Sequence, residues 1–348
     1  MRHQINAAIA AAILMLLLAG CGGSNNDNNS AAEGTANATA SPTTGATTAP
    51  TAATEEPTPA PEPALKVVTS FYPLYFLASE IGGERAEVVN LIAAGIEPHD
   101  WTPKSRDLTV ASEAELLLYH GVGLEQWMDN FQKGLSKDSS VAIKEMSVGI
   151  PLLDADEEST SHDEHAHEHE HGHDHAIDPH TWVSPKSAII LAGNVKDALI
   201  EADADNREYY EANYEALLGK LQKLDADYES ALKSVTQKNL VVSHQAFGYL
   251  AHDYGLKQVA IMGLSPEAEP KAQDLLRIAK FVKENGVRYV FFEELVSDQL
   301  AKTLASEADV DTMVLNPLEG LTKEQEKAGE TYLSLMERNL QNLIQGLQ

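Results

Sequence analysis

The chain has 348 residues, 43% of them hydrophobic, with a formal net charge of −28 at pH 7. That is enough apolar material for one large or two medium domains with proper cores. The charge argues against a nucleic-acid partner, because phosphate contacts need Lys and Arg, and aromatics at 6% leave little for a stacking platform.

The first stretch, "MRHQINAAIAAAILMLLLAGC", has a basic start, an apolar run and then small residues. This is the pattern of a signal peptide over residues 1–20, too short and too early for a membrane span. It ends in "LAGC", which resembles a bacterial lipobox and marks Cys21 as the lipidated first residue of the exported chain. Cys21 is the sole cysteine, so a disulfide framework and a thiolate metal site are excluded. Residues 21–64 are rich in Thr, Pro, Ala and Ser and too poor in apolar side chains to offset ordering entropy, so a disordered tether is expected.

The folded body begins with "LKVVTS", a strand over Leu65–Ser70, followed by a helix pattern that ends at Gly82–Gly83. "EVVNLI" and "AELLLY" read as buried strands, and "LEQWMDNFQKGL" as an amphipathic helix. A long helical region follows, broken only near Asp203–Asn206. A second set of alternating strands and helices comes next, from "NLVVS" through "QVAIMGL", "RYVFFEEL" and "TMVLNPL" to a closing helix from Thr331. Such alternation implies an α/β fold with mostly parallel sheets. The expected organisation is an N-terminal lobe at 65–184 with a His-rich insert at 159–176, linking helices at 185–237 and a C-terminal lobe at 238–348. Ligands of such sheets bind beyond the carboxyl ends of the strands, here in the cleft between lobes. No dinucleotide fingerprint, P-loop or nucleophile elbow is present.

Histidines carry the chemistry. "EPHDW" (Glu97–Trp101) and "DPHTW" (Asp178–Trp182) share one frame, in which proline stiffens the backbone before the His and an aromatic follows two residues later. His244 follows "NLVVS" at the end of a strand. His99, His180 and His244 therefore lie at strand-end or loop positions, and neutral imidazole is a common zinc ligand. A tetrahedral site needs a fourth donor, for which Glu293, Glu294 and Glu319 are all available. His120 follows a strand and has a smaller claim on the site, His252 is expected to face solvent, and Trp101 and Trp182 are expected to wall the ligands. The Tyr-rich helix around Tyr209–Tyr214 reads as a packing stripe.

The run "HDEHAHEHEHGHDH" holds His162, His165, His167, His169, His171, His173 and His175 with no apolar anchor. Many imidazoles on an unanchored segment give weak, exchangeable zinc complexes, suited to capturing or sensing the metal. Two matches to H-E-x-x-H inside the run are products of low complexity.

The lipobox, "FYPLYFLASEIGG", "GIEPHDWTPKSRDL", "GVGLEQW", "DPHTWVSP", "VVSHQAFGYLAHDYGL" and "GLSPEAEP" together resemble the metal-binding lipoproteins of ABC importers for zinc and manganese, in particular the ZnuA-like zinc branch. The resemblance covers the body from about Leu65 onward. It implies two α/β lobes joined by a long rigid helix, with one metal in the cleft. The implied ligands are His99, His180, His244 and Glu319, with water or Glu97 as alternatives for the fourth. It also implies an extracytoplasmic receptor, anchored to the cell membrane through Cys21, that acts as a single chain and passes zinc to a permease and its ATPase. Three imidazoles and one carboxylate suit Zn²⁺, with Mn²⁺, which prefers more oxygen ligands, as second choice. From another class, the competing reading is a zinc-dependent hydrolase with Glu319 as general base, which would need an open coordination position.

Overall fold

The computed structural model describes residues 64–155, 176–266 and 270–348. The signal peptide, Cys21, the tether and the histidines of the run at 162–175 lie outside the described residues.

Two four-stranded parallel sheets form the body. The first contains β1 (Leu65–Thr69), β2 (Ala86–Asn90), β3 (Leu116–Tyr119) and β4 (Ala142–Glu145) in the order β2-β1-β3-β4. The second contains β5 (Asn239–Val242), β6 (Lys257–Ala260), β7 (Tyr289–Phe292) and β8 (Asp311–Val314) in the order β6-β5-β7-β8. The two sheets thus share one topology. Parallel neighbours need crossovers, and helices supply them. These are α1 (Tyr72–Gly82), α2 (Ser105–Ser112) and α3 (Met128–Gly134) in the first lobe. In the second lobe, after the linking helices, α6 (Gly248–Tyr254), α7 (Ala272–Glu284) and α8 (Gln299–Ala308) do the same.

Central β3 has Leu116, Leu117 and Leu118 wholly buried, as expected for a strand covered on both faces. The "EVVNLI" strand departs from its expected burial. As β2 it lies at the sheet edge, and Glu87 and Val89 face out. The helix expected over Leu124–Leu135 is confined to α3, because Glu125 uses its carboxylate to accept the backbone N–H groups of His120 and Gly121 and holds the preceding residues in a turn. Short β4 and α9 (Lys323–Ala328) are additions to the elements expected from periodicity.

The linking region is a pair of helices, α4 (Pro185–Ala202) and α5 (Arg207–Ser234), packed against one another. Asp203 makes the turn between them, accepting from the Tyr210 hydroxyl at 2.7 Å and the Asn206 amide at 2.8 Å. With 28 residues, α5 is about 42 Å long. On the first lobe, Asn213 donates to the Ile81 carbonyl at 3.0 Å. Further along, the Tyr228 hydroxyl donates at 2.8 Å to the Met336 carbonyl in α10 (Tyr332–Gly346). One apolar core runs through both sheets and these helices, from Val67 and Leu74 through Leu191 and Leu221 to Val242 and Leu340. The outer faces of the two sheets carry smaller cores of their own. Among the described residues no helix is long and apolar enough to cross a membrane.

Candidate metal centre

Loops from both lobes meet in one buried cluster. His99 sits in a single 3-10 turn, Pro98–Asp100, after β2, with its backbone N–H donating to Glu97 Oε1 at 3.1 Å. His180 precedes a second such turn, Thr181–Val183, that leads into α4. His244 stands just beyond β5, and Glu319 follows β8 through the loop Leu315–Leu318.

Donor atoms of these four residues all lie within 4.8 Å of one another. The Nε2 atoms of His99 and His180 are 3.2 Å apart, and those of His180 and His244 are 3.4 Å apart. Glu319 Oε1 is 3.4 Å from His99 Nε2, 3.3 Å from His180 Nε2 and 3.4 Å from His244 Nε2. Donors placed at typical zinc distances on a regular tetrahedron are separated by about 3.3–3.4 Å. Among the described residues neither Glu319 oxygen has a hydrogen-bond partner, although both are buried. Four convergent donors, one of them a buried and otherwise unsatisfied carboxylate, can hold one small divalent cation.

Each of two imidazoles is aimed by a carboxylate behind it. Asp178 Oδ1 accepts from His180 Nδ1 at 2.7 Å, and Glu293 Oε1 accepts from His244 Nδ1 at 2.6 Å and from the Ser243 hydroxyl at 2.6 Å. A carboxylate can only accept, so in the neutral ring Nδ1 carries the proton and the Nε2 lone pair faces the centre.

Burial would lower the basicity of His180 and His244. Asp178 and Glu293 respectively, joined by Glu319, outweigh it and raise both rings, His244 well above the ordinary value. Burial would raise Glu319, but the imidazoles of His180, His244 and His99 hold it well below the usual carboxylate range. Burial and the nearby Glu319 push Glu97 up to about 9.

Of the other candidates, Glu293 serves His244 from behind, and Glu294 accepts from Asn316 at 2.7 Å and Gln325 at 2.6 Å. His252 is exposed beside Asp253. Burial pushes the His120 ring down to about 3, so it is neutral; its Nε2 donates to the Pro179 carbonyl at 2.9 Å, directly behind His180. Trp182 is fully buried against His180, whereas Trp101 is half-buried and packs edge-on to Trp127. Tyr210 is buried and Tyr209 and Tyr214 pack partly buried against the main core, so this helix presents a packing stripe. A cavity of about 280 Å³ lined by His99, Val122, Gln126, Ile177 and Leu264 opens onto the cluster. His99, 12% exposed, is its accessible member.

Residues 67–346 match the family described as zinc-uptake complex component A, periplasmic (ZnuA). The chain belongs to the ZnuA family. Among its ZnuA-type relatives, the zinc-binding lipoprotein AdcA of Streptococcus pneumoniae is 43% identical over 281 residues, 81% of this chain and 55% of that protein. This chain therefore spans about half the length of AdcA. The high-affinity zinc uptake system protein ZnuA of Bacillus subtilis is 41% identical over 283 residues, covering 81% of this chain and 88% of that one. The crystal structure of the Zn(II)-bound ZnuA-like domain of S. pneumoniae AdcA superposes with a TM-score of 0.69 at 40% identity. That match covers 82% of this chain and 99% of the domain, and two α/β lobes are the common fold.

Proposed function

We propose that this chain is the extracytoplasmic zinc receptor of an ABC importer, held at the cell membrane through a lipid on Cys21. In this reading His99, His180, His244 and Glu319 bind one Zn²⁺ as cargo, and a permease with its ATPase receives it. The observation that carries the reading is that five of the six separations among three imidazole nitrogens and one carboxylate oxygen are 3.2–3.4 Å. These are tetrahedral edges for zinc, and the donor set favours Zn²⁺ over Mn²⁺.

Four protein donors close a tetrahedral sphere and leave no position for an activated water, so the protein binds and releases metal and is not a hydrolase. Relatives named for zinc binding and zinc uptake support the same reading. The histidines of the run at 162–175 form a pool of weak, exchangeable zinc sites.

Calorimetric zinc titration of the chain and of His180→Ala, with manganese as competitor, tests the proposal. One tight zinc event that manganese does not displace, lost in the variant, is expected. Ready displacement by manganese, or tight binding retained in His180→Ala, would overturn the ligand set.

A further inference from the structure

Two ligand-bearing loops are tied together by a single side chain. Trp182 lies two residues after His180 and is 0% exposed. Its indole Nε1–H donates at 2.8 Å to the carbonyl of Pro317, two residues before Glu319, so the bond reaches from one lobe to the other. The carbonyl of Trp182 in turn accepts from the Tyr332 hydroxyl at 2.6 Å, at the start of α10. The indole cannot drift, because Phe71 meets it edge-on with ring centres 4.7 Å apart and His120 does so at 5.0 Å.

The far end of this tie is equally constrained. The Asn339 side chain accepts from the Asn316 N–H at 2.9 Å and donates to the Asn316 carbonyl at 2.6 Å. Asn316 Oδ1 accepts from the Leu318 N–H at 2.7 Å. Leu318 itself sits at φ +60°, a left-handed conformation that a branched side chain adopts only when its surroundings dictate it. That turn brings the carboxylate of Glu319 to face the imidazoles.

We infer that Trp182 is a positioning residue for zinc: its bond to Pro317 fixes the Glu319 carboxylate against the His180 imidazole and so keeps the cage four-coordinate and preformed. The inference rests on the reading that His180 and Glu319 are zinc ligands. Without the tie, the Glu319 loop relaxes away from the first lobe. Zinc then loses its fourth protein donor, and cations that prefer a looser oxygen-rich shell gain ground.

The test uses Trp182→Phe, which keeps an aromatic ring and deletes the N–H. Zinc affinity is read by competition with a chelator, and Co²⁺ serves as a spectroscopic probe, since four-coordinate cobalt absorbs visible light far more intensely than higher-coordinate cobalt. Loss of one neutral buried hydrogen bond should weaken zinc by about five- to tenfold. The cobalt band should lose intensity, and manganese should compete better. Adding Glu319→Gln to Trp182→Phe should cost less than adding it to the parent, the non-additivity expected of residues acting through one contact.

An unchanged cobalt band with additive effects makes Trp182 mere packing and overturns the inference. His180→Ala separates the two levels: if it retains tight zinc, the ligand reading falls and takes this inference with it. If it loses zinc while Trp182→Phe is indistinguishable from the parent, only this inference falls. Should Trp182→Phe not fold, an isosteric benzothienyl analogue of tryptophan placed at position 182 keeps the ring's size and deletes only the N–H to Pro317; it must show the same loss of affinity and cobalt intensity, and parental values overturn the inference.

Discussion

One oxygen of Asp178 grips His180 twice, accepting from its ring Nδ1 at 2.7 Å and from its backbone N–H at 2.9 Å. Ring and main chain are thereby fixed to the same atom, so the imidazole can neither swing nor change tautomer without breaking a charge-assisted bond. Glu293 repeats the arrangement on His244, at 2.6 Å to the ring and 3.3 Å to the backbone. His180 of one lobe and His244 of the other are therefore presented by the same device.

Asp178→Ala should weaken zinc binding by about 10- to 100-fold, the usual effect of deleting a carboxylate behind a ligating histidine. Tight binding should survive, because all four donors remain. Chelator competition gives the ratio, and a loss as complete as that of His180→Ala would mean that Asp178 does more than orient the ring.

Zinc affinity should fall as pH falls, and the decline should begin above pH 6.5. His180 and His244 have raised pKa values in the metal-free protein, so protons occupy their Nε2 atoms at a pH where an ordinary histidine is neutral. Zinc must displace those protons, which favours binding as pH rises. Titration calorimetry in buffers of different ionisation enthalpy should register proton release on binding at pH 7; an affinity unchanged down to pH 5 would contradict a three-histidine site.

Removing residues 162–175 should leave one tight site and lower the total zinc bound. The chain enters and leaves this segment through an antiparallel bridge, Asp154 with Ile177, and the Ala155 N–H donates to the Ala176 carbonyl at 2.8 Å. The anchors of the insert are thus joined to each other and survive the excision. Total metal by elemental analysis after dialysis, beside the calorimetric isotherm, reads both numbers. Loss of the tight event would assign precision binding to the run.

Zinc should raise the melting temperature, and a chelator should reverse the rise. At free zinc a thousandfold above Kd the folded state gains about 4 kcal/mol by mass action. Glu319→Gln should reduce that gain because it removes the one anionic donor. Scanning calorimetry with and without chelator measures both effects, and equal zinc-induced shifts in parent and variant would place Glu319 outside the site.

Much of the site was legible in local frames. Proline before His99 and His180, and a strand end before His244, are patterns that a linear reading detects, and all three residues arrive in one cluster. Glu293 was legible as a strand-end acid, but its task was not. It reaches His244 because β5 and β7 are neighbours, with Val242 paired to Phe291, and that register comes from the sheet rather than from any stretch of chain. The Trp182–Pro317 bond was hidden for the same reason, its partners being 135 residues apart. Topology also explains the misread strand. β2 has the composition of a buried strand, but its place at the edge leaves Val89 39% exposed.

The apolar core that passes unbroken from Val67 through Leu221 to Leu340 has a thermodynamic corollary. Sheets joined by a small polar interface melt separately and rock freely, whereas sheets that share their interior do neither. Heating this protein should therefore give one transition whose calorimetric and van't Hoff enthalpies agree. Either half expressed alone would carry half of a cut interior on its surface and would be prone to aggregate.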